Sequence, residues 1–498
     1  MGTDSVADPG HADSRLADFK LLLPLGQGVR ALVLATRECA FVAHLADEVG
    51  RLDLVLDGAV GVSDQARVRR LQAPEGLYDL VFADDATAAR HLAPGGVLCQ
   101  FLGGAAAVPP DDLTPLGRWR AYPDWPAFRA LIPESAAGWW AAAHALRLYP
   151  RHSLLNLWAR LRPDTAAARL PERGLALYRR HGGTPKSTLL DALRGALARN
   201  GHDPILVTPE DRWLLLSGRL GPGNPILAVS LDAEGRPERL IKAARVPGAR
   251  HLADEAEQID AVVWAVGHED AARIIRPGDA VQVEGRWALA YDYEPTAPFF
   301  GVRWRLQGRP GLCLTMTDWL ARIGWNTRRQ DARARIEQRH LDPLRRLVAR
   351  RLLPHSLQHR AEAALHVLEQ LAPTLQSILE HGDLGTYNLR LRRPDGSDVG
   401  VLDWGSSTFE GIPLGDLAYL LCSARAPRSL ASRCIEEYLV RMRIPLGEAP
   451  AFWFSYLARR WEELDGIRPP TPGDPHSGGG LLLPIARRVD RYLQALGA

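Results

Sequence analysis

The chain has 498 residues, enough for two to four domains that each bury their own hydrophobic core. Its 61 basic and 58 acidic residues leave a net charge of +3, so composition gives no reason to expect nucleic acid or membrane as a partner. Five scattered cysteines without a CxxC pair argue against a disulfide framework or zinc site, and no apolar run approaches the roughly 20 residues of a membrane span, so we expect a cytoplasmic protein.

The N-terminal part of the chain alternates between strand and helix patterns. Residues 1–17 are polar and predict a flexible tail. The strand candidates that follow are "RALVLAT" (30–36), "LDLVLDG" (52–58), "LYDLVFADD" (77–85) and "GGVLCQFL" (95–102), and the helix candidates are 41–50 and 86–92. This alternation predicts a Rossmann-like α/β domain with a parallel sheet and helices on its faces.

These strands resemble those of class I methyltransferases. "LDLVLDG" ends in Asp57, where that family places an acid for the ribose hydroxyls of S-adenosylmethionine, and "YDLVFADD" and "LAPGGVL" resemble later motifs of the family. The cofactor loop should carry glycines that let the backbone approach the ligand, but none occurs from Ala31 to Val49. We therefore expect a degenerate, methyltransferase-like domain (18–175) without catalytic activity or bound S-adenosylmethionine, which docks a protein partner or a substrate or is structural.

Residues 103–200 are rich in Pro, Trp and Arg and show helical patterns near 136–148, 153–161 and 188–199. We interpret them as the end of the first domain followed by a connector at 176–200. The stretch "HGGTPKST" (181–188) is not a phosphate-binding P-loop, because Pro185 stands where the second glycine is required.

A second α+β pattern begins near residue 201. Its strand candidates are "DPILV", "RWLLLSG", "PILAVSLD", "RLIKAAR" and "WALAYDYE", and residues 251–266 predict a helix. After about 315 the chain reads as mainly helical, with a Pro- and Gly-rich loop at 468–480. We expect a bilobal domain with a mixed lobe at 201–300 and a helical lobe at 301–498.

The segment 381–405, "HGDLGTYNLRLRRPDGSDVGVLDWG", contains a pattern suited to phosphoryl transfer. Such chemistry needs a carboxylate that orients and deprotonates a hydroxyl, together with oxygen ligands for magnesium. Asp383 is followed five residues later by Asn388, and Asp403 opens a "DWG". Between them, "NLRLR" and "VGVL" flank a "PDGS" turn, so a hairpin would bring Asn388 and Asp403 to one mouth.

This segment resembles the aminoglycoside phosphotransferase and choline kinase superfamily, which shares the protein-kinase-like fold. The matching motifs are H-G-D-x-x-x-x-N at 381–388, D-W at 403–404 and G-x-P-x-x-D-L-A at 411–418. The resemblance implies Asp383 as catalytic base, Asn388 and Asp403 as ligands of two Mg²⁺ ions, Asp416 as a structural acid that holds the catalytic loop, and His381 as a support for that loop.

The same resemblance implies ATP as the phosphoryl donor. Lys242, one of three lysines in the chain, would contact the phosphates and pair with Glu255, with Glu257 as the alternative partner. Gly218, Gly221 and Gly223 would form an irregular glycine loop, and backbone groups around Tyr293 would face the adenine.

The acceptor is expected to be a small molecule with a hydroxyl group, such as a sugar or an amino alcohol. Residues 318–360 carry eleven Arg against four acidic residues, so an anionic acceptor is favoured if some of these side chains line the cleft. Two alternatives stay open, a bifunctional methyltransferase–kinase and a pseudokinase or scaffold protein.

Overall fold

The computed structural model describes residues 14–34, 41–55, 67–102, 110–122, 128, 130–134, 173–199, 212–217, 224–294, 296–297, 299, 301–330, 333–351, 353–467 and 478–497. The chain divides into two compact units, Met1–Ala256 with Pro277–Tyr293 and Glu257–Arg276 with Glu294–Ala498. Whether the predicted segments 18–175, 176–200, 201–300 and 301–498 fold as separate domains stays a prediction.

The strands of the first unit join in one sheet. They are β1 (Gly26–Leu34), β2 (Val49–Leu54), β3 (Val68–Arg70), β4 (Tyr78–Ala83), β5 (Leu92–Leu102), β6 (Leu113–Tyr122), β7 (Ala130–Pro133), β8 (Gly174–Arg180), β9 (Trp213–Ser217), β10 (Ile226–Leu231), β11 (Pro237–Ala243), β12 (Val281–Val283) and β13 (Arg286–Asp292). Their order across the sheet is β12-β13-β11-β10-β9-β7-β6-β8-β5-β4-β1-β2-β3.

The first five strands are parallel, in the order β3-β2-β1-β4-β5. Leu32, Val81 and Leu98 point into one buried cluster, whereas their chain neighbours Val33 and Phe82 point into another. Both faces are therefore covered, which explains the apolar runs in β1, β4 and β5. The prediction of a parallel sheet is confirmed for these strands, while a methyltransferase-like identity stays a prediction.

The helices between these strands are shorter than the sequence predicts. The helix expected at 41–50 is a single turn, Val42–Leu45, because β2 already begins at Val49. The helix expected at 86–92 is a 3₁₀ helix, Ala86–His91, whose first turn is capped by the Asp85 carboxylate. Asp57 lies outside the described residues.

Residues 113–180 contribute strands that the sequence pattern does not predict. β8 pairs antiparallel with both β5 and β6, so part of the expected connector at 176–200 is a strand inside the sheet. β6 escapes detection because Pro115 and Gly117 interrupt its pattern at a register shift. The helix expected near 188–199 is confirmed as α2 (Leu189–Arg199), α1 being Val42–Leu45, while 136–148 and 153–161 lie outside the described residues.

Five antiparallel strands, β9-β10-β11-β13-β12, form the other end of the sheet. The apolar runs around Lys242 predict β11 correctly, and the turn at Asp232–Arg236 closes its hairpin with β10. Helix α3 (His251–Val266) has the predicted bounds. "DPILV" (203–207) lies outside the described residues.

Buried ion pairs tie the N-terminal segment to this antiparallel end. Asp18, at 0% exposure, accepts two hydrogen bonds from the Arg245 guanidinium, at 2.8 and 2.9 Å, and a third from Ser217. Glu48 pairs with Lys20 at 2.9 Å and with Arg286. Because buried charges need partners, these contacts fix the segment beginning at residue 18 against β11 and β13.

The second unit is mainly helical, as predicted. After α3, its helices are α4 (His268–Ala271), α5 (Gly301–Arg303), α6 (Arg309–Asn326), α7 (Arg333–Ile336), α8 (Asp342–Arg350), α9 (His355–Leu371), α10 (Gly415–Ser423), α11 (Arg428–Met442), α12 (Ala449–Ile467) and α13 (Gly478–Gln494). The expected loop at 468–480 ends earlier, since residues 478–480 begin α13. None of the helices within the described residues is long and apolar enough to cross a membrane.

Two small sheets hold the motif segment of this unit. One contains β14 (Arg329–Gln330), β15 (Gln376–Glu380) and β18 (Thr408–Gly411), and the other is the hairpin of β16 (Leu389–Leu391) and β17 (Val399–Val401). The hairpin predicted from the "PDGS" turn is therefore present. Asp395 in its turn accepts hydrogen bonds from the backbone and side chain of Ser397.

Candidate active site

The loop 381–388 begins where β15 ends and is shaped by a glycine. Gly382 has a φ of +83°, and a Cβ there would lie 2.5 Å from the carbonyl oxygen of Ser406. Any larger residue would therefore clash with the backbone after the D-W motif. The Gly382 carbonyl in turn accepts a hydrogen bond from Tyr456 of α12, at 3.2 Å.

Asp416, at the start of α10, anchors this loop. One of its carboxylate oxygens accepts the backbone N–H of His381 at 2.6 Å, and the other accepts that of Gly382 at 3.0 Å. Burial, together with the nearby Glu380 carboxylate, raises the pKa of Asp416 to about 7, although the two N–H donors act in the opposite direction. Glu380 is itself neutralised by Arg459 at 2.6 Å.

His381 is a buried part of the loop. Its Nε2 lies 2.8 Å from the Leu402 carbonyl oxygen, and its Nδ1 accepts the backbone N–H of Asp383 at 3.3 Å. These partners require a neutral ring protonated at Nε2, and burial lowers the pKa of His381 in agreement. The ring also packs on Trp404 with centroids 4.7 Å apart. Both ring nitrogens are engaged, which favours support of the loop over proton transfer.

The two oxygens of the Asp383 carboxylate have different surroundings. Oδ1 accepts a hydrogen bond from the Tyr387 hydroxyl at 2.7 Å and one from the Arg460 guanidinium, also at 2.7 Å. Oδ2 has no hydrogen-bond partner in the part of the chain that the structure describes. The carboxylate is thus oriented through one oxygen while the other can accept a proton.

Asn388 and Asp403 stand at the same mouth of the hairpin. The Asn388 side-chain amide donates to the Asp383 carbonyl at 2.9 Å, and the Leu402 N–H donates to the Asn388 carbonyl at 2.9 Å. Asp403 follows Leu402 and has a left-handed backbone with φ +65°. The hairpin therefore brings together the two residues predicted as magnesium ligands.

These two residues fit a magnesium ion that is bound mostly through phosphates. The Oδ1 of Asn388 has no hydrogen-bond partner among the described residues, so it can face a cation. The described residues contain no group of three or more His, Cys, Asp or Glu side chains placed to hold a metal. Mg²⁺ commonly takes one or two protein oxygens and completes its shell with phosphates and water.

In the first unit, Lys242 and Glu255 form a buried ion pair. Lys242 Nζ lies 2.7 Å from Glu255 Oε1, which also accepts the Tyr291 hydroxyl at 2.9 Å. The Lys242 ammonium lies over the Tyr291 ring, 5.3 Å from its centroid. The pairing of Lys242 with Glu255 that the sequence suggests is therefore present.

The other predicted nucleotide contacts are less defined. Gly218, Gly221 and Gly223 lie outside the described residues. The backbone N–H of Tyr293 donates to the Glu238 carbonyl at 2.9 Å, so it is not available to an adenine ring.

Sequence reasoning missed Arg460 and Tyr387. Tyr387 lies within the motif H-G-D-x-x-x-x-N, but at one of the four positions where the motif does not specify a residue. Arg460 is 77 residues from Asp383 in the chain and reaches it from α12. Although burial opposes its charge, Tyr456 and Asp383 raise the pKa of Arg460 overall, so it stays cationic. Arg460 also pairs with Glu463, at 2.6 Å.

Most of the described arginines in the basic stretch 318–360 form ion pairs with acidic side chains. The pairs are Arg322 with Asp270 and Asp318, Arg335 and Arg339 with Glu410, Arg345 with Glu369, Arg346 with Glu462, and Arg360 with Asp490. This stretch therefore gives little support to an anionic acceptor.

Comparison with known proteins supports the resemblance seen in the motif segment. A sequence model described as the phosphotransferase enzyme family (APH) matches residues 229–453. The predicted resemblance to the aminoglycoside phosphotransferase superfamily is thereby confirmed for this part of the chain. The phosphotransferase domain thus includes the Lys242–Glu255 pair and the complete segment from His381 to Asp416. A comparison with curated proteins found no match.

Solved structures of aminoglycoside phosphotransferases are similar to the chain. APH(3'')-Id from Streptomyces rimosus is 22% identical, with 54% of this chain and 96% of that one covered and a TM-score of 0.32. Wild-type aminoglycoside 2'-phosphotransferase-IIIa, as its GDP complex, is 14% identical over 57% and 94%, with a TM-score of 0.36. A thermostable mutant of APH(4)-Ia with ADP and hygromycin B is 13% identical over 61% and 97%, with a TM-score of 0.37.

Proposed function

We propose that the phosphotransferase domain moves the γ-phosphate of ATP, in a magnesium-dependent reaction, to a hydroxyl group of a small molecule. The observation that carries the proposal is the Asp383 carboxylate, whose Oδ1 is held by Tyr387 and Arg460 while Oδ2 has no partner among the described residues. Phosphoryl transfer depends mainly on positioning and on electrostatic stabilisation, and a fixed carboxylate supplies the first of these.

In this reaction Asp383 Oδ2 accepts the proton of the acceptor hydroxyl as the oxygen attacks the γ-phosphorus. The bond between the γ-phosphorus and the bridging oxygen breaks, and ADP leaves with the electron pair. Tyr387 and Arg460 keep the carboxylate in the orientation that proton transfer needs.

Lys242, Asn388 and Asp403 are proposed to compensate the negative charge of the nucleotide phosphates. Lys242, oriented by Glu255, would contact the phosphates of ATP. Asn388 and Asp403 would hold Mg²⁺, which when bound neutralises negative charge on the phosphate oxygens. The neutral His381 ring and Asp416 would keep the loop in place without contacting the reactants.

The proposal is tested by measuring ADP release from Mg·ATP in the presence of sugars, amino alcohols, nucleosides and their phosphorylated or carboxylated derivatives. We expect at least one class to stimulate ADP release, and we expect EDTA to abolish that stimulation. Full activity with the metal removed would contradict the role given to Asn388 and Asp403. Binding of Mg·ATP without stimulation by any class would instead favour a pseudokinase.

For the parallel end of the first unit we propose a methyltransferase-like domain without catalytic activity. The strand order β3-β2-β1-β4-β5 supports this, because it is the order found in dinucleotide-binding α/β sheets. The absence of glycine from Ala31 to Val49 argues against an S-adenosylmethionine loop. A thermal-shift titration with S-adenosylmethionine should give no shift, and saturable stabilisation would favour a bifunctional enzyme.

A further inference from the structure

A cavity of about 280 Å³ lies in the second unit, beside the catalytic loop. We refer to it as the Arg488 cavity. Its lining residues come from the end of α10 and from α13: Tyr419, Cys422, Ser423, Arg425, Pro484, Ile485 and Arg488.

Two residues of the cavity wall are hydrogen-bonded to the loop that carries Asp383. The Ser423 hydroxyl accepts the Thr386 N–H at 2.8 Å, and the Tyr419 hydroxyl lies 3.1 Å from that of Tyr387. Tyr387 in turn donates to Asp383. A chain of two tyrosine hydroxyls therefore leads from the cavity to the candidate base, so a molecule held in the cavity lies close to the reacting carboxylate.

The charge of the cavity wall is positive. Arg425 and Arg488 are the ionisable cations in its lining, which contains no acidic side chain. A polycationic acceptor would be repelled at this wall, whereas an anion would be attracted.

The arginines of the cavity differ from those of 318–360 in their partners. Arg488 donates to the Cys422 carbonyl at 3.0 Å, which orients its guanidinium, and neither Arg425 nor Arg488 has an acidic partner among the described residues. A second cavity of about 580 Å³ shares Arg488 and Pro484 and adds Arg487 and Arg491, while its one acid, Asp490, is paired with Arg360. The positive charge here is thus not neutralised by neighbouring carboxylates.

We propose that the Arg488 cavity binds an anionic group, a phosphate or a carboxylate, of the acceptor and so selects acidic hydroxy compounds as substrates. This rests on the proposed function, because it specifies the acceptor of the same reaction. The guanidinium groups of Arg425 and Arg488 would bind the oxyanion, and Ser423 would donate a hydrogen bond to it.

The first test is the binding of inorganic phosphate to the full chain, measured by calorimetry without nucleotide. We expect saturable binding that weakens at least ten-fold in Arg488→Gln and in Arg425→Gln. Arg433→Gln is the matched control, because Arg433 is an exposed arginine of α11 that pairs with Glu437. Arg488→Gln loses the hydrogen bond to the Cys422 carbonyl and can for that reason alone alter the fold, so Arg425→Gln is the second variant. Arg425 is exposed, and its substitution should leave the fold intact. Equal phosphate affinity in the wild type and in Arg425→Gln would overturn the proposal.

The second test compares acceptors that differ only in charge: glucose, glucose 6-phosphate and glucuronate. We expect transfer to a charged member to exceed transfer to glucose, and Arg425→Gln to raise KM for the charged member at least ten-fold with little effect on kcat. Preference for phosphate over carboxylate, or the reverse, identifies the anion. Transfer to glucose alone, unaffected by the substitution, would contradict the proposal. Asp383→Asn should still bind phosphate, so loss of catalysis and loss of anion binding remain distinguishable.

Discussion

At the scale of single residues, the contact that matters most is that between Arg460 and Asp383. Replacing Arg460 by Met should leave Asp383 Oδ1 with Tyr387 as its remaining donor. Hydrogen bonds to charged groups contribute about 1.5–3 kcal/mol, so we expect kcat/KM to fall about 10- to 150-fold. Arg460→Lys should recover part of the loss, since it restores the charge but not the planar donor geometry. Steady-state kinetics would measure kcat/KM for these variants, with Arg433→Met as the control. An unchanged kcat/KM in Arg460→Met would show that the contact does not orient the base.

Asp416 gives a pH dependence with a definite sign. Its pKa is raised from 3.8 to about 7 in the folded protein, so between those values the native state holds a proton that the unfolded state has lost. Stability should therefore fall as pH rises from about 4 to about 7 and then become constant with respect to this group. Urea unfolding followed by tryptophan fluorescence at pH 5, 6, 7 and 8 would measure the change.

The Asp416→Asn variant isolates this effect. An amide offers one acceptor oxygen where the carboxylate offers two, so the N–H of either His381 or Gly382 loses its partner. We expect a flatter stability profile between pH 5 and 8 and a kcat lowered at least ten-fold. A pH profile identical to that of the wild type would assign the titration to another group.

At the scale of structural elements, the junction between β15 and the catalytic loop depends on Gly382. The substitution Gly382→Ala would place a Cβ 2.5 Å from the Ser406 carbonyl oxygen in a left-handed backbone, so the loop must shift. We expect activity to be lost while the fold largely remains. Gly447→Ala is the control, because a Cβ there meets no atom within 4 Å. Wild-type activity in Gly382→Ala would mean that the loop tolerates this displacement.

The sequence predicts an element well when the pattern that identifies it lies within the element itself. Helix α3 and the β16–β17 hairpin follow from apolar periodicity and from a turn sequence, both of which lie within the element itself. β6 and β8 are missed because their pairing partners are distant in the chain and because Pro115 and Gly117 break the pattern of β6. The site divides in the same way: Asp383, Asn388 and Asp403 lie in one motif, whereas Arg460 comes from a helix whose sequence does not mark it.

At the scale of the whole molecule, each unit holds its own part of the proposed machinery. Lys242 and Glu255 lie in the first, and Asp383, Asn388 and Asp403 lie in the second. Within the first unit, the strands around Lys242 continue into the parallel end of the sheet through β9, β7, β6 and β8. The parallel end therefore supports the strand that carries Lys242 and is not simply appended to it.

Substitutions in the buried pair of Asp18 and Arg245 test whether the N-terminal part of the chain stabilises the strands around Lys242. Removing one partner of a buried ion pair costs about 3–5 kcal/mol, so Asp18→Asn should lower the free energy of unfolding by about that amount. The double variant Asp18→Leu with Arg245→Met should recover much of the loss, because no charge is then left unpaired. Asp232→Asn, at a pair whose arginine is exposed, should cost less than about 1 kcal/mol. Equal effects of Asp18→Asn and Asp232→Asn in denaturant titrations would contradict a structural link through Asp18.

The central claim is that Asp383 accepts the proton of a small-molecule hydroxyl during transfer from Mg·ATP. The most direct measurement is single-turnover transfer of γ-phosphate from labelled ATP to the identified acceptor by Asp383→Asn, beside Asp395→Asn in the β16–β17 turn as control. We predict a rate lowered about 100- to 10,000-fold in Asp383→Asn with nearly unchanged affinity for Mg·ATP, and wild-type behaviour in the control. Transfer at the wild-type rate by Asp383→Asn would show that another group accepts the proton, and the proposed mechanism would be wrong.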